Sequence, residues 1–262
     1  MKKILTLCLF TLLALTPHFT QAQQDFWEPC GGPLYGSVNA LALHPDGDLF
    51  AGSTVSGVYR STDGGNTWNQ VAELEFDPLS GGTFVRDLAL NAQGYVFAAY
   101  PSAIHRSVDK GGNWVEKSPQ LGTAQVWCFI VNLQGHLLAG TTKGLYRSAD
   151  NGDSWLQADV RLDSFWIYDL FLNSAGHVFA GTHAGLYRST DGGNSWSSLP
   201  LSATVHAAAA DAGGYIFAAA DSSLYRSADN GDSWELLPWD LGRINALAFN
   251  AGGQVLAGSA AG

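Results

Sequence analysis

The chain has 262 residues, 46% of them hydrophobic, which is enough for the core of one large all-β domain or two small ones. Its formal net charge is −10 with no basic cluster, which argues against a phosphate backbone or an anionic membrane surface as partner. Glycine, at 31 residues, far exceeds the roughly 18 that average usage would give, and helix formers are scarce, with one Met in the chain. This composition selects short strands joined by tight turns.

In chain order, Lys2 and Lys3 lead into an apolar run from Ile4 to Leu15, followed by a polar stretch ending at Ala22. That is the order of a secretory signal peptide over residues 1–22, cleaved after Ala22. The run is too short to span a bilayer and no second one follows, so no membrane insertion is expected after cleavage. The predicted location is secreted, periplasmic or cell-surface. Only Cys30 and Cys128 remain in the mature chain, so no disulfide framework is expected.

From residue 38 onward one unit recurs. An alternating strand such as Asn39-Ala40-Leu41-Ala42-Leu43 meets a Gly turn, a small-residue strand, a third strand ending in Tyr-Arg-Ser, and a tight turn closed by Trp. The ten-residue segment Tyr146 to Trp155 returns nearly unchanged at Tyr225 to Trp234, with looser copies at Tyr59, His105 and Tyr187. The motif aspartates Asp63, Asp109, Asp150, Asp191 and Asp229 are spaced 46, 41, 41 and 38 residues apart. Four short strands per 40 or so residues is the arithmetic of a β-propeller blade.

The motif Ser61-Asp63-Gly65-Thr67-Trp68 and its copies resemble the Asp box (BNR repeat) of sialidases, sortilin-type receptors, xyloglucanases and photosystem II assembly factors. The second copy departs, with Asn113 in place of Thr or Ser. The resemblance implies an all-β propeller of four-stranded Asp-box blades over residues 23–262, six visible and the last incomplete. Trp27 reads as the end of a box lacking its first half, so residues 23–32 are predicted to be the closing strand of the last blade. The sixth unit stops at Gly262 where its third strand is due, so the chain is expected to be C-terminally truncated.

Five copies of one motif suit scaffolding better than a site. The carboxylate can accept N–H groups across the turn, the Gly can take positive φ, and the Trp can bury its ring between sheets. Asp63, Asp109, Asp150, Asp191 and Asp229, with Trp68, Trp114, Trp155, Trp196 and Trp234, are therefore assigned structural roles. Asp150-Asn151-Gly152-Asp153 looks like part of a Ca²⁺ loop but lacks the closing Glu, so no metal and no cofactor are expected.

Function should lie in the columns that do not repeat. At the head of each first strand stand Asn39, Arg86, Trp127, Tyr168, His206 and Asn245. The next column includes Asp87, Cys128 and Asp169. Trp166, Trp239 and Arg243 lie in the segments linking blades. In a propeller these positions share the funnel mouth, opposite the motif turns. The predicted binding set is Arg86, Asp87, Trp127, Trp166, Tyr168, Asp169, His206, Trp239 and Arg243, with no catalytic residue. The expected partner is a glycan or an extracellular or periplasmic protein.

The alternatives are a glycoside hydrolase and a purely structural repeat domain. The sialidase signature Arg-Ile-Pro is missing before the first box. Asp87 and Asp169 are the obvious carboxylate pair for xyloglucanase-like hydrolysis.

Overall fold

The computed structural model describes residues 37–72, 84–238, 242–249 and 254–259. The predicted signal peptide, the predicted closing strand and Trp239 lie outside these residues. Blade 1 comprises β1 (Val38–Leu43), β2 (Leu49–Ser53), β3 (Val58–Ser61) and β4 (Asn69–Ala72). Blade 2 comprises β5 (Asp87–Leu90), β6 (Val96–Ala99), β7 (Ile104–Ser107) and β8 (Val115–Glu116). Blade 3 follows with β9 (Val126–Val131), β10 (Leu137–Thr141), β11 (Gly144–Ser148) and β12 (Leu156–Gln157). Blade 4 is β13 (Ile167–Leu172), β14 (Val178–Thr182), β15 (Gly185–Ser189) and β16 (Ser197–Ser198). Blade 5 is β17 (Val205–Ala210), β18 (Ile216–Ala220), β19 (Ser223–Ser227) and β20 (Glu235–Leu236). Among the described residues blade 6 holds β21 (Ile244–Phe249) and β22 (Val255–Ser259).

Each blade is an antiparallel meander with strands in sequence order, and the first strands of successive blades lie side by side around the axis. The fold is the predicted all-β propeller, with two strands of the sixth blade among the described residues. Its core is a series of seams between neighbouring sheets. Phe50, Val58, Val85 and Val96 fill the seam of blades 1 and 2, while Leu138, Leu145, Ile167 and Val178 fill that of blades 3 and 4. Each sheet therefore depends mainly on its two neighbours, as in other repeat architectures. The small-residue second strands let the seams close: a Cβ on Gly140 would sit 2.4 Å from Cys128 Sγ and 2.7 Å from Ile167.

The repeated turns show why Ser belongs to the motif. Ser148 is buried; its hydroxyl donates to Asp150 Oδ1 at 2.8 Å and accepts from Gly152 N at 2.8 Å. Asp150 in turn accepts Ser154 N and the Ser154 hydroxyl. The same pattern recurs in all five copies; in the departing one, the Asn113 amide replaces the hydroxyl as donor to Asp109 Oδ2 at 2.6 Å. The Gly after the turn takes φ of +90° at Gly65 and +88° at Gly152, a region open to glycine at little cost. Ser148→Ala strands the buried Gly152 N–H, so it is expected to destabilise the protein by about 1–3 kcal/mol. Chemical denaturation measures this, and an unchanged midpoint would contradict the assignment.

The turns also hold neighbouring blades together through hydrogen bonds. The Trp155 indole donates to Lys117 O at 2.6 Å and that of Trp114 to Val71 O at 3.2 Å, each reaching the preceding blade's outer segment. From the preceding blade, Asn91 reaches Asn151, Asn132 reaches Gly192 O, and Asn173 reaches Asn230. Arg106 and Arg188 donate to Asn151 O and Asn230 O, each at 2.8 Å.

Candidate functional site

The opposite end of the ring is built differently. The first and second strands of blades 1, 3, 4, 5 and 6 each slip register near the head of the inner strand. The extra residues are Asn39, Trp127, Tyr168, His206 and Asn245, the same column that does not repeat in sequence. A bulge re-aims its side chain away from the regular pleat and is common beside functional sites. In blade 2, Arg86 occupies the equivalent place just before β5, its N–H bonded to Ala99 O at 2.8 Å.

Four of these side chains meet. The Arg86 guanidinium packs against two rings, 4.6 Å from the Phe84 centroid and 4.4 Å from that of Trp127. Trp127 stacks on Trp166 at 6.4 Å with 25° between planes, and Tyr168 stands edge-on to both, at 5.9 and 6.3 Å. The His206 ring lies 5.2 Å from Tyr168. The ladder thus runs from blade 2 to blade 5. Its inner members are half-buried, while Trp166 is 47% exposed. Arg86 Nε, Trp127 Nε1 and His206 Nδ1 are buried and have no hydrogen-bond partner among the described residues. Burial lowers the pKa of Arg86. The His206 pKa is also lowered, by burial first and then by the charge of Arg243, with Asp221 opposing.

Asp87 and Asp169, expected to bond ligand hydroxyls, hold neighbouring blades together. Asp87 accepts Leu88 N and, across the seam, Phe129 N of β9, both at 2.8 Å. Asp169 accepts Ala208 N of β17 at 2.6 Å. Asn39 and Cys128 bridge in the same way, to Val85 O at 2.9 Å and Ile167 O at 3.7 Å. The two aspartates keep some residue surface, yet their carboxyls are enclosed by packed strands, and this enclosure governs their titration. Burial raises Asp87 to about 6 against its N–H bonds. Asp169 is raised to about 7 by burial and, beyond its opposing bond to Ala208, by the charge of Asp87.

Of the predicted set, Arg86, Trp127, Trp166, Tyr168 and His206 come together, and Arg243, exposed, acts on His206 through its charge. Trp239 is outside the described residues. Phe84 was not predicted, because nothing in its local sequence marks it as a partner for Arg86. The recurring Asn91, Asn132 and Asn173 were visible as a column but went unread.

The chain matches no protein-family model and no curated protein. It is similar in structure to YCF48 bound to D1 peptide, with a TM-score of 0.70 at 17% identity over 90% of this chain and 80% of that one. It also resembles the GH74 xyloglucanase from Xanthomonas campestris, with a TM-score of 0.67 at 19% identity, spanning 84% of this chain and 43% of the other. Virginiamycin B lyase from Staphylococcus aureus gives a TM-score of 0.69 at 12% identity, over 84% of this chain and 76% of that one. All three have propeller folds. At these identities the likeness concerns the fold, which hosts unrelated functions.

Proposed function

We propose that the chain is an Asp-box propeller exported by its N-terminal leader, and that it acts outside the cytoplasm as a non-catalytic recognition module. Its ligand, a glycan or an extracellular or periplasmic protein, binds at the funnel end. The observation that carries this reading is the aromatic ladder. An exposed Trp set among converging aromatic and polar side chains suits a ligand surface. The similarity to YCF48 bound to D1 peptide is compatible with peptide recognition, and that to the GH74 xyloglucanase with glycan recognition. The hydrolase alternative draws less support, because Asp87 and Asp169 already accept backbone N–H groups.

The test is a glycan array and a pull-down from extracellular material, using the mature protein. Recognition predicts a ligand that competes for the funnel end. A chain that captures nothing would leave the purely structural reading in its place, and a ligand that protects only the motif-turn end from labelling would contradict the funnel site.

A further inference from the structure

Arg86 and Arg243 form no ion pair among the described residues, and of the two Arg86 is half-buried while Arg243 is exposed. Arg60, Arg106, Arg161, Arg188 and Arg226 each lie within ion-pair distance of an Asp or Glu, and Arg147 meets His136. Arg86 forms no ion pair among the described residues, in a chain with 23 acidic residues to 13 basic. Its guanidinium is nevertheless partly desolvated, packed against the rings of both Phe84 and Trp127. A desolvated, unpaired charge is costly unless something compensates it. A guanidinium packed against aromatic rings keeps its in-plane N–H groups for a partner, and these grip a carboxylate through two parallel hydrogen bonds.

The rest of the mouth points the same way. Arg243 adds a second positive charge that acts on His206, opposed by Asp221 in the turn between β18 and β19. The carboxyls of Asp87 and Asp169 are engaged with Phe129 N and Ala208 N. The indole N–H of Trp127 and the Nε–H of Arg86 are buried without a partner among the described residues. Trp166, one ring beyond Trp127, presents an exposed indole to stack on the C–H face of a pyranose.

We infer that the ligand is an acidic oligosaccharide, one uronate carboxylate held by Arg86 and a neighbouring sugar ring stacked on Trp166. This rests on the recognition reading above and narrows it.

Calorimetric titration of the mature protein tests it, with tetrasaccharides of galacturonate, glucuronate, mannuronate and guluronate, each beside its uncharged methyl ester. An oligoglutamate peptide forms a separate arm. At least one uronate should bind at least tenfold tighter than its ester, and more weakly as salt rises. Arg86→Met should erase the preference, and Arg86→Lys, which keeps the charge without the planar fork, should recover only part of it. The acid–ester comparison uses the unaltered protein, so it decides the matter even where a variant fails to fold. Equal binding of acids and esters, no uronate binding, binding of the peptide alone, or a preference that survives in a folded Arg86→Met variant would each overturn the inference. A neutral glycan found on the array would overturn it while leaving the recognition reading intact.

Discussion

Trp127→Ala is expected to weaken ligand capture at least about 30-fold, the effect of losing a hot-spot aromatic worth about 2 kcal/mol or more. Trp127 is the hub of the ladder: it packs against Arg86, stacks on Trp166 and receives the edge of Tyr168. Removing it takes away one contact surface and frees two others to move. Tyr168→Ala should cost a similar amount, because Tyr168 joins both tryptophans to His206. Tyr168→Phe keeps the ring and separates the role of the hydroxyl. Both side chains are half-buried, so affinity is read on variants whose melting curves remain cooperative. Ligands held with unchanged affinity by both alanine variants would make the ladder a packing feature alone.

The second large effect concerns pH. Asp169 and Asp87 have folded-state pKa values of about 7 and about 6, above the ordinary carboxylate value of 3.8. A group raised on folding contributes stability that is fully present below its unfolded pKa and is lost as pH rises through its folded pKa. The protein should therefore lose stability between pH 5 and pH 8, by an amount on the order of 2–4 kcal/mol.

Asp169→Asn can still accept Ala208 N without burying a charge, so it should flatten that slope and raise the melting temperature at pH 8. It should also relieve Asp87, whose charge acts on Asp169 through the same interior. The motif aspartates act in the opposite sense. The Ser233 hydroxyl, the Ser233 N–H and the Ser227 hydroxyl hold Asp229 at about 2, so its contribution is present above the ordinary value and lost as pH falls through about 2. Thermal melts from below pH 2 to pH 9 check both limbs. Stability that is flat or rising from pH 5 to 8, or a slope unaltered by Asp169→Asn, would contradict this assignment.

The fold was legible because its determinants are local and repeated. Each Gly turn, small-residue strand and Ser-x-Asp turn lies within one 40-residue unit, and five copies average out the exceptions. The funnel column could be found by laying the units over one another, since what a scaffold does not need is free to vary.

The roles within that column were harder to read. Asp87 is 42 residues from Phe129, and Asp169 is 39 from Ala208. Whether a carboxylate points to solvent or to a neighbour's N–H depends on the distance between two sheets, which local sequence does not encode. The bulges were hidden for a related reason: the apolar alternation continues through them, and only the register against the second strand reveals the extra residue. Arg86 looked like one more member of the nonrepeating column. Its isolation from acids is a property of three-dimensional packing.

The central claim is that the funnel end recognises and the motif-turn end supports. Trp166→Ala tests it most directly, because its side chain is 47% exposed and its removal should leave folding intact. The account predicts an unchanged melting temperature with ligand capture reduced at least about tenfold, within the range for an interface aromatic. Full binding by a folded Trp166→Ala protein would contradict it.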